Sequence, residues 1–256
     1  MRLFAAFVVI TFAIAADCGR AADATRSTVL VELFTSEGCS TCPPADDLLQ
    51  RIDATQPVPG AQVIVLSEHV DYWNHEGWRD PYSSSFWSDR QSGYVHALGL
   101  NTPYTPQMIV DGAAELRANS AEQIVEILEK AAAAIKVPVK ITSLKVDPKT
   151  PGLIHAHIEA DGTLEKHNAD IFLVAALDHA ESQVLSGENS GHQLAHVAVV
   201  QQIVKVGKLE KQKTFAQDVE IKLKSGTDPA SVRIVCFVQE SAFGKVHGAA
   251  LERIVN

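Results

Sequence analysis

Apolar positions along the chain fall into blocks with two different periods, and each period names an element. Residues 28–37 (TVLVELFTSE) open with a β-branched, apolar run of the kind that forms a buried strand. After Gly38 and two cysteines come Pro43 and Pro44, a pair tolerated only in the first turn of a helix. Ala45, Leu48, Leu49 and Ile52 then recur at helical spacing on one apolar face. Residues 62–66 (QVIVL) predict a second buried strand. A longer stretch follows, irregular or helical, rich in Tyr72, Trp73, Trp78, Tyr82, Trp87 and Tyr94. Residues 107–110 read as a third strand, and Asp111-Gly112 is a strong hairpin signal. Ser120 and Gln123 make a capping box, after which Ile124, Ile127, Leu128, Ala131 and Ile135 carry an amphipathic helix.

From Val137 the period changes. Ile154, Ala156, Ile158 and Ala160 alternate with His155, His157 and Glu159, a half-exposed strand. Residues 171–177, 197–206, 219–223 and 232–238 also read as strands, separated by turn signals such as Asp161-Gly162 and Asp228-Pro229. The order up to residue 136 is βαβ, an insertion, a ββ hairpin and a closing helix, which is the thioredoxin order. The pattern thus predicts an α/β thioredoxin-like fold over 27–136 and a C-terminal all-β, sandwich-like domain over 137–256, with the boundary near Lys136 to Pro138.

The N-terminus adds a destination. Arg2 precedes a short apolar run, Leu3 to Ala16, that ends in small residues. A membrane span needs roughly 20 apolar residues, so 1–16 reads as a secretory signal peptide cleaved after Ala15 or Ala16. The expectation is a periplasmic or secreted protein with no stable membrane span once the signal is removed. The chain is 46% hydrophobic and 21% charged, as a globular protein should be, and its net charge of -9 argues against nucleic acid as a partner.

Four cysteines occur, at 18, 39, 42 and 236. Cys236 lies in an apolar strand and reads as a small buried hydrophobe. Cys39 and Cys42 are different, because strand, Cys-Ser-Thr-Cys and helix follow in order. That turn brings two thiols to bonding distance and sets the first at a helix N-terminus, whose unpaired N–H groups and dipole favour a thiolate. Cys39 is therefore expected to be the exposed nucleophile and Cys42 the resolving thiol. Glu37 and Asp46 read as exposed carboxylates whose opposing effect water and salt screen. The alternatives are a structural disulfide or half of a zinc site, although no second ligand pair accompanies this one.

The stretch Glu32–Asp46 (ELFTSEGCSTCPPAD), with His69-Val70-Asp71-Tyr72-Trp73, Tyr104-Thr105-Pro106-Gln107 and Val110-Asp111-Gly112, resembles a bacterial family of secreted thioredoxin-like proteins of unknown function. Gly187-Glu188-Asn189-Ser190-Gly191 and His196 resemble a later motif of that family. The resemblance spans nearly the whole mature chain and implies the fold more firmly than the activity. It implies that Pro106 is the cis-proline facing the dithiol, holding a backbone edge against the sulfurs with Thr105, unless it is an ordinary trans turn proline. Glu32, seven residues before Cys39, is either a buried proton acceptor for Cys42 or an edge-exposed carboxylate. His69, Asp71 and Trp73, after the second strand, either shape a substrate groove or form a pinned polar loop; His69, Asp71 and His75 are also candidate metal ligands. His179, His192, His196 and Glu188 read as a second candidate metal set or a solvated loop.

Together these residues predict an exported thiol–disulfide oxidoreductase: Cys39 attacks, Cys42 resolves, Pro106 orients and Glu32 moves the proton. Its partners are exported thiol or disulfide proteins or small thiols, and no cofactor is implied. The rival expectation is a non-catalytic binding module that captures a protein partner, or copper on Cys39, Cys42 and His69.

Overall fold

The computed structural model describes residues 26–116, 121–162 and 168–254. The expected signal peptide, Cys18 and Ser120 of the capping box lie outside these residues.

Strand β1 (Ser27–Thr35) lies parallel to β2 (Ala61–His69), in register from Ser27 opposite Ala61 to Thr35 opposite His69. Between them runs α1 (Pro43–Thr55). On its other side β1 pairs antiparallel with β3 (Gln107–Val110). The hairpin to β4 (Ala114–Glu115) turns at Asp111 and Gly112, both at positive φ, as that dipeptide predicts. Side chains alternate across this sheet. Val29, Val31, Leu33, Val63 and Val65 face α1 and α3 (Ala121–Ala132), packing on Leu49, Ile52, Ile124 and Leu128. Leu30, Ile64 and Leu66 face Trp87 of α2 (Ser85–Ala97) on the other side.

Helix α2 is the element the pattern left undefined. Its buried stripe is Trp87, Arg90, Gln91, Tyr94 and Val95, a helical face in which Arg and Gln stand where apolar residues would signal it. Ser84 caps the helix by accepting from the Phe86 N–H.

The second half adds β5 (Val139–Val146), β6 (Leu153–Ala160), β7 (Ala169–Gln183), β8 (Gln193–Leu209), β9 (Phe215–Lys222), β10 (Val232–Glu240) and β11 (Val246–Arg253). Its strands do not form a separate sandwich. The long hairpin β7–β8 brings β8 beside β2, touching in parallel at Ser67 and Val199. One eight-stranded mixed sheet results, ordered β11-β10-β7-β8-β2-β1-β3-β4, with a three-stranded sheet β5-β6-β9 packed on it. This overturns the predicted fold class. The protein is mostly β, built on a sheet drawn from both halves, and is not an α/β thioredoxin-like fold followed by a sandwich. Local periodicity reveals that a strand exists, but not which neighbour takes its free edge.

The two sheets enclose a core of Ile154, Ile158, Val219 and Ile221 against Ile171, Leu173, Ile234 and Cys236. Cys236 is fully buried and unbonded there, and burial pushes its thiol up to about 12. Side chains also tie the halves together. Arg233 on β10 makes a two-pronged pair with Asp53 of α1 (both 3.0 Å) and a further contact with Asp178 (2.6 Å). At the chain crossover, Val137 N–H donates to His247 O at 2.7 Å. A Cβ on neighbouring Gly248 would stand 2.1 Å from the Val137 carbonyl oxygen. Gly248→Ala should therefore destabilise the fold by about 1–3 kcal/mol through overpacking. An unchanged urea midpoint would rule out this close approach.

Candidate functional site

Cys39 and Cys42 are joined in a disulfide at the head of α1, their Cα atoms 5.4 Å apart. The turn closes through Cys39 N–H to Ser36 O (3.2 Å) and Cys42 N–H to Cys39 O (3.1 Å). The helix does not offer the free N–H donors expected of it. Pro43 and Pro44 have none, and those of Ala45 and Asp46 both donate to Cys42 O, at 2.8 and 3.1 Å. Two hydroxyls serve the sulfur instead. Thr105 Oγ1 donates to Cys39 Sγ at 3.3 Å, and Thr41 Oγ1 lies 3.3 Å from the same atom. Trp73 Nε1 in turn donates to Thr105 Oγ1 at 2.7 Å. The Thr105–Pro106 peptide is cis. Cys39, Trp73, Thr105 and Pro106 thus converge from three separate segments. Both cysteines are 0% exposed, Cys39 as much as Cys42, so the oxidised pair is sealed rather than open on one side.

Part of the seal comes from the loop between β7 and β8. Asn189 donates its side-chain amide to the carbonyls of Glu37 (2.9 Å) and Cys39 (3.0 Å). Glu188 accepts from the Ser40 side chain and, at 3.0 Å, from Ser40 N–H, and the two hold its carboxyl below the usual range. Ser186 donates to Gly77 O, and a Cβ on Gly187 would meet Trp78 at 3.0 Å. The Gly187–Gly191 motif is therefore a clamp on the backbone of the dithiol turn.

Around the turn lies a buried acid–histidine cluster. Glu37 and Asp46, expected at the surface, are enclosed, and His196 of β8 sits between them. Its Nε2 is 3.3 Å from Glu37 Oε1 and its Nδ1 is 3.6 Å from Asp46 Oδ1. Burial lowers the His196 pKa, but the two carboxylates outweigh it and hold the imidazolium up to about 9. The other oxygens are used: Trp78 Nε1 donates to Glu37 Oε2 (2.8 Å) and Thr35 Oγ1 to Asp46 Oδ2 (3.1 Å). The His69 ring stands 4.7 Å from that of His196, its Nδ1 2.7 Å from Asp80 Oδ2. Burial would raise the Asp80 carboxyl, but His69 and the N–H groups of Glu37 and Tyr82 hold it low. His69 thus lies buried in this cluster and does not line a groove.

Glu32 belongs to a different cluster, on the α2 side of the sheet. Arg90 donates to Glu32 Oε1 through Nε (2.8 Å) and Nη2 (2.6 Å), and Tyr94 donates to Oε2. Both carboxylate oxygens are so engaged. Asp71 accepts from Ser88 Oγ at 2.6 Å, which anchors the loop after β2 to α2. His75, His179 and His192 are exposed, apart from buried His196. Among the described residues, no group of three or more His, Cys, Asp or Glu side chains is arranged to hold a metal ion. No helix among them is long and apolar enough to cross a membrane.

Asp80 and Trp78 carry no expected role at this site, Asn189 is expected only as part of the Gly187–Gly191 motif, and Asp46 only as an exposed carboxylate. Asp46 left a trace in the sequence: it lies at i+4 from Cys42 and i−3 from Leu49, an acid on an apolar helix face. Asp80 and Trp78 carry no local signal, and the motif around Asn189 does not reveal its partners, because they are remote in sequence.

Comparison with known proteins sets this site in context. No curated protein matches the chain. The crystal structure of protein AGR_C_4864 from Agrobacterium tumefaciens is similar, with a TM-score of 0.67 at 25% identity over 89% of this chain and 96% of that one. Spo0M, a sporulation control protein of Bacillus subtilis, aligns over 46% of this chain and 47% of its own, at 14% identity and a TM-score of 0.32. The sequence from residue 30 to residue 239, which holds the dithiol turn, the Thr105–Pro106 peptide and the Gly187–Gly191 clamp, matches one family throughout, and the chain belongs to it: "Protein of unknown function (DUF1223)".

Proposed function

We propose that the protein is an exported thiol–disulfide oxidoreductase whose working couple is Cys39–Cys42. The observation that carries this reading is the Thr105 hydroxyl, held by Trp73 Nε1, that donates to Cys39 Sγ. A donor fixed there stabilises negative charge collecting on that sulfur as an S–S bond forms or breaks. In the reduced protein the Cys39 thiolate attacks a substrate disulfide, and one substrate sulfur leaves as a thiolate. Cys42 then attacks Cys39 Sγ, the second substrate sulfur leaves, and the protein disulfide closes. Two electrons pass to the substrate; run backwards, the same steps oxidise a dithiol. The direction follows the potential of the couple against its compartment. Export rests on the apolar, small-residue start of the chain, and the partners that fit are exported proteins or small thiols.

Single-cysteine variants test the assignment. Reduced Cys42→Ser, mixed with glutathione disulfide, should accumulate a mixed disulfide on Cys39. Cys39→Ser should lose insulin turnover. If Cys42 alkylates first in the wild type, the roles are reversed. If neither thiol reacts at neutral pH, the pair is structural and the reading falls.

A further inference from the structure

The proton partner expected for Cys42, Glu32, is held on the α2 side of the sheet by Arg90 and Tyr94, and a guanidinium gives up no proton at neutral pH. A different set of groups adjoins the dithiol turn. Asp46 lies one helical turn beyond Cys42, bonded to its carbonyl through the backbone N–H, so the two side chains share a face of α1. Asp46 Oδ1 faces His196 Nδ1, and Glu37, two residues before Cys39, faces His196 Nε2. Glu37 Oε1, Asp46 Oδ1 and both ring nitrogens of His196 are buried and meet only as ion-pair contacts of 3.3 and 3.6 Å with no aligned hydrogen bond, and His69 Nε2 beside them has no hydrogen-bond partner. Buried polar atoms are hydrogen-bonded as a rule, so ion pairs left without aligned hydrogen bonds beside the proposed redox couple point to a proton that moves rather than to architecture alone.

We propose that His196, acting through Asp46, is the positioning residue that supplies the proton of Cys42 when the disulfide opens and takes it back when the disulfide closes. The inference rests on the exchange reading above. On opening, a substrate thiolate attacks Cys39 Sγ, the S–S bond breaks, and its electron pair goes to Cys42 Sγ. Cys42 takes a proton that passes from His196 Nδ1 by way of Asp46, leaving a Cys42 thiol and a neutral imidazole. On closing, the proton returns, the Cys42 thiolate attacks Cys39 Sγ in the mixed disulfide, and the substrate leaves as a thiolate. The imidazolium is available for this across neutral pH, because the carboxylates of Asp46 and Glu37 outweigh burial and keep it charged. The titratable groups that face His196 are Glu37 from the turn after β1, Asp46 from α1, and His69 from β2 with Asp80 behind it. Tyr82, from the loop before α2, adds a ring centroid 6.2 Å away.

The test reads Cys42 alone, by alkylation against pH in reduced Cys39→Ser protein. Adding His196→Gln removes the cation and leaves two carboxylates, so the midpoint should rise by about one pH unit or more. Adding Asp46→Asn should move it the other way. Loss of packing alone would change the rate at every pH without moving the midpoint in opposite directions. Midpoints unmoved in both variants, with Cys42 still reactive there and Cys39 still forming the mixed disulfide in Cys42→Ser protein, would overturn this inference and leave the exchange reading standing. A pair inert at all pH would remove both. Should a variant not fold, NMR titration of His196 in the wild type decides: different midpoints in oxidised and reduced protein support the role, and identical ones overturn it.

Discussion

Replacing Arg90 by methionine is expected to be among the most damaging single changes in the chain, at about 3–5 kcal/mol. The guanidinium is 4% exposed and stands between two fully buried carboxylates, Glu32 and Glu68. It donates twice to Glu32 and once to Tyr94 OH (3.0 Å), lies 3.4 Å from Glu68 Oε1, and stacks over the Tyr94 ring at 5.1 Å. Removing it strands buried negative charge, the costly half of breaking a buried ion pair. The two acids are not equivalent. Burial, then the charge of Glu32, push the Glu68 carboxyl well above the usual carboxylate range, and neither of its oxygens has a hydrogen-bond partner. Glu68→Gln, which keeps the neutral shape, should thus be close to neutral or stabilising at pH 7. Glu32→Gln, which unbalances Arg90, should destabilise. Urea midpoints of the three variants measure this. A Glu68→Gln as harmful as Arg90→Met would show that Glu68 is charged and needed.

Between pH 6.5 and 9 the folded protein should lose about 3 kcal/mol of stability through His196 alone. The group has an ordinary value of 6.5 and is held up to about 9 in the fold by Asp46 and Glu37, against the effect of burial. A raised folded pKa means that the folded state binds the extra proton in this window. The contribution is complete below pH 6.5 and disappears as pH rises through 9. Urea unfolding of the oxidised protein at pH 6 and pH 9.5 should register the loss, and His196→Gln should flatten it. Glu68, also raised, adds its own loss on the alkaline side of the carboxylate range, but equally in both proteins, so the difference isolates His196. Equal slopes in wild type and variant would mean that the imidazole is not held protonated between its carboxylates. At the acid end the sign reverses. Asp80 and Asp178 are held low by His69 and by Arg253 and Arg233, against burial, so their contribution is lost as pH falls.

Much of the site was legible before any coordinates. The run into Gly38, the Cys-Ser-Thr-Cys turn and the Pro-led stripe of Leu49 and Ile52 specify a strand, a dithiol and a helix, because buried faces leave a period in the sequence. The pairing of Cys39 with Cys42 follows from their spacing, and the turn at Asp111-Gly112 from its need for positive φ. The alternation of β6 is equally direct, since every second side chain enters the core. Helix α2 escaped for the opposite reason. Arg90 and Gln91 occupy its buried face, and a stripe that is buried but polar has no hydrophobic period.

What only the tertiary structure decided is which remote segments meet. Backbone hydrogen bonds along a strand edge carry no residue identity, so nothing in β2 announces that β8 will lie beside it. Yet that placement makes one mixed sheet of two expected domains and brings Asn189 to Cys39 from 150 residues away. It also buries Glu37 and Asp46, which a reading confined to their neighbours leaves at the surface. His196 shows the limit most plainly. In sequence it is one of ten histidines, legible as part of a motif and as a candidate metal ligand but not as a buried cation. Its charge depends on two carboxylates carried by other elements, and an electrostatic environment exists only once the chain has closed around it.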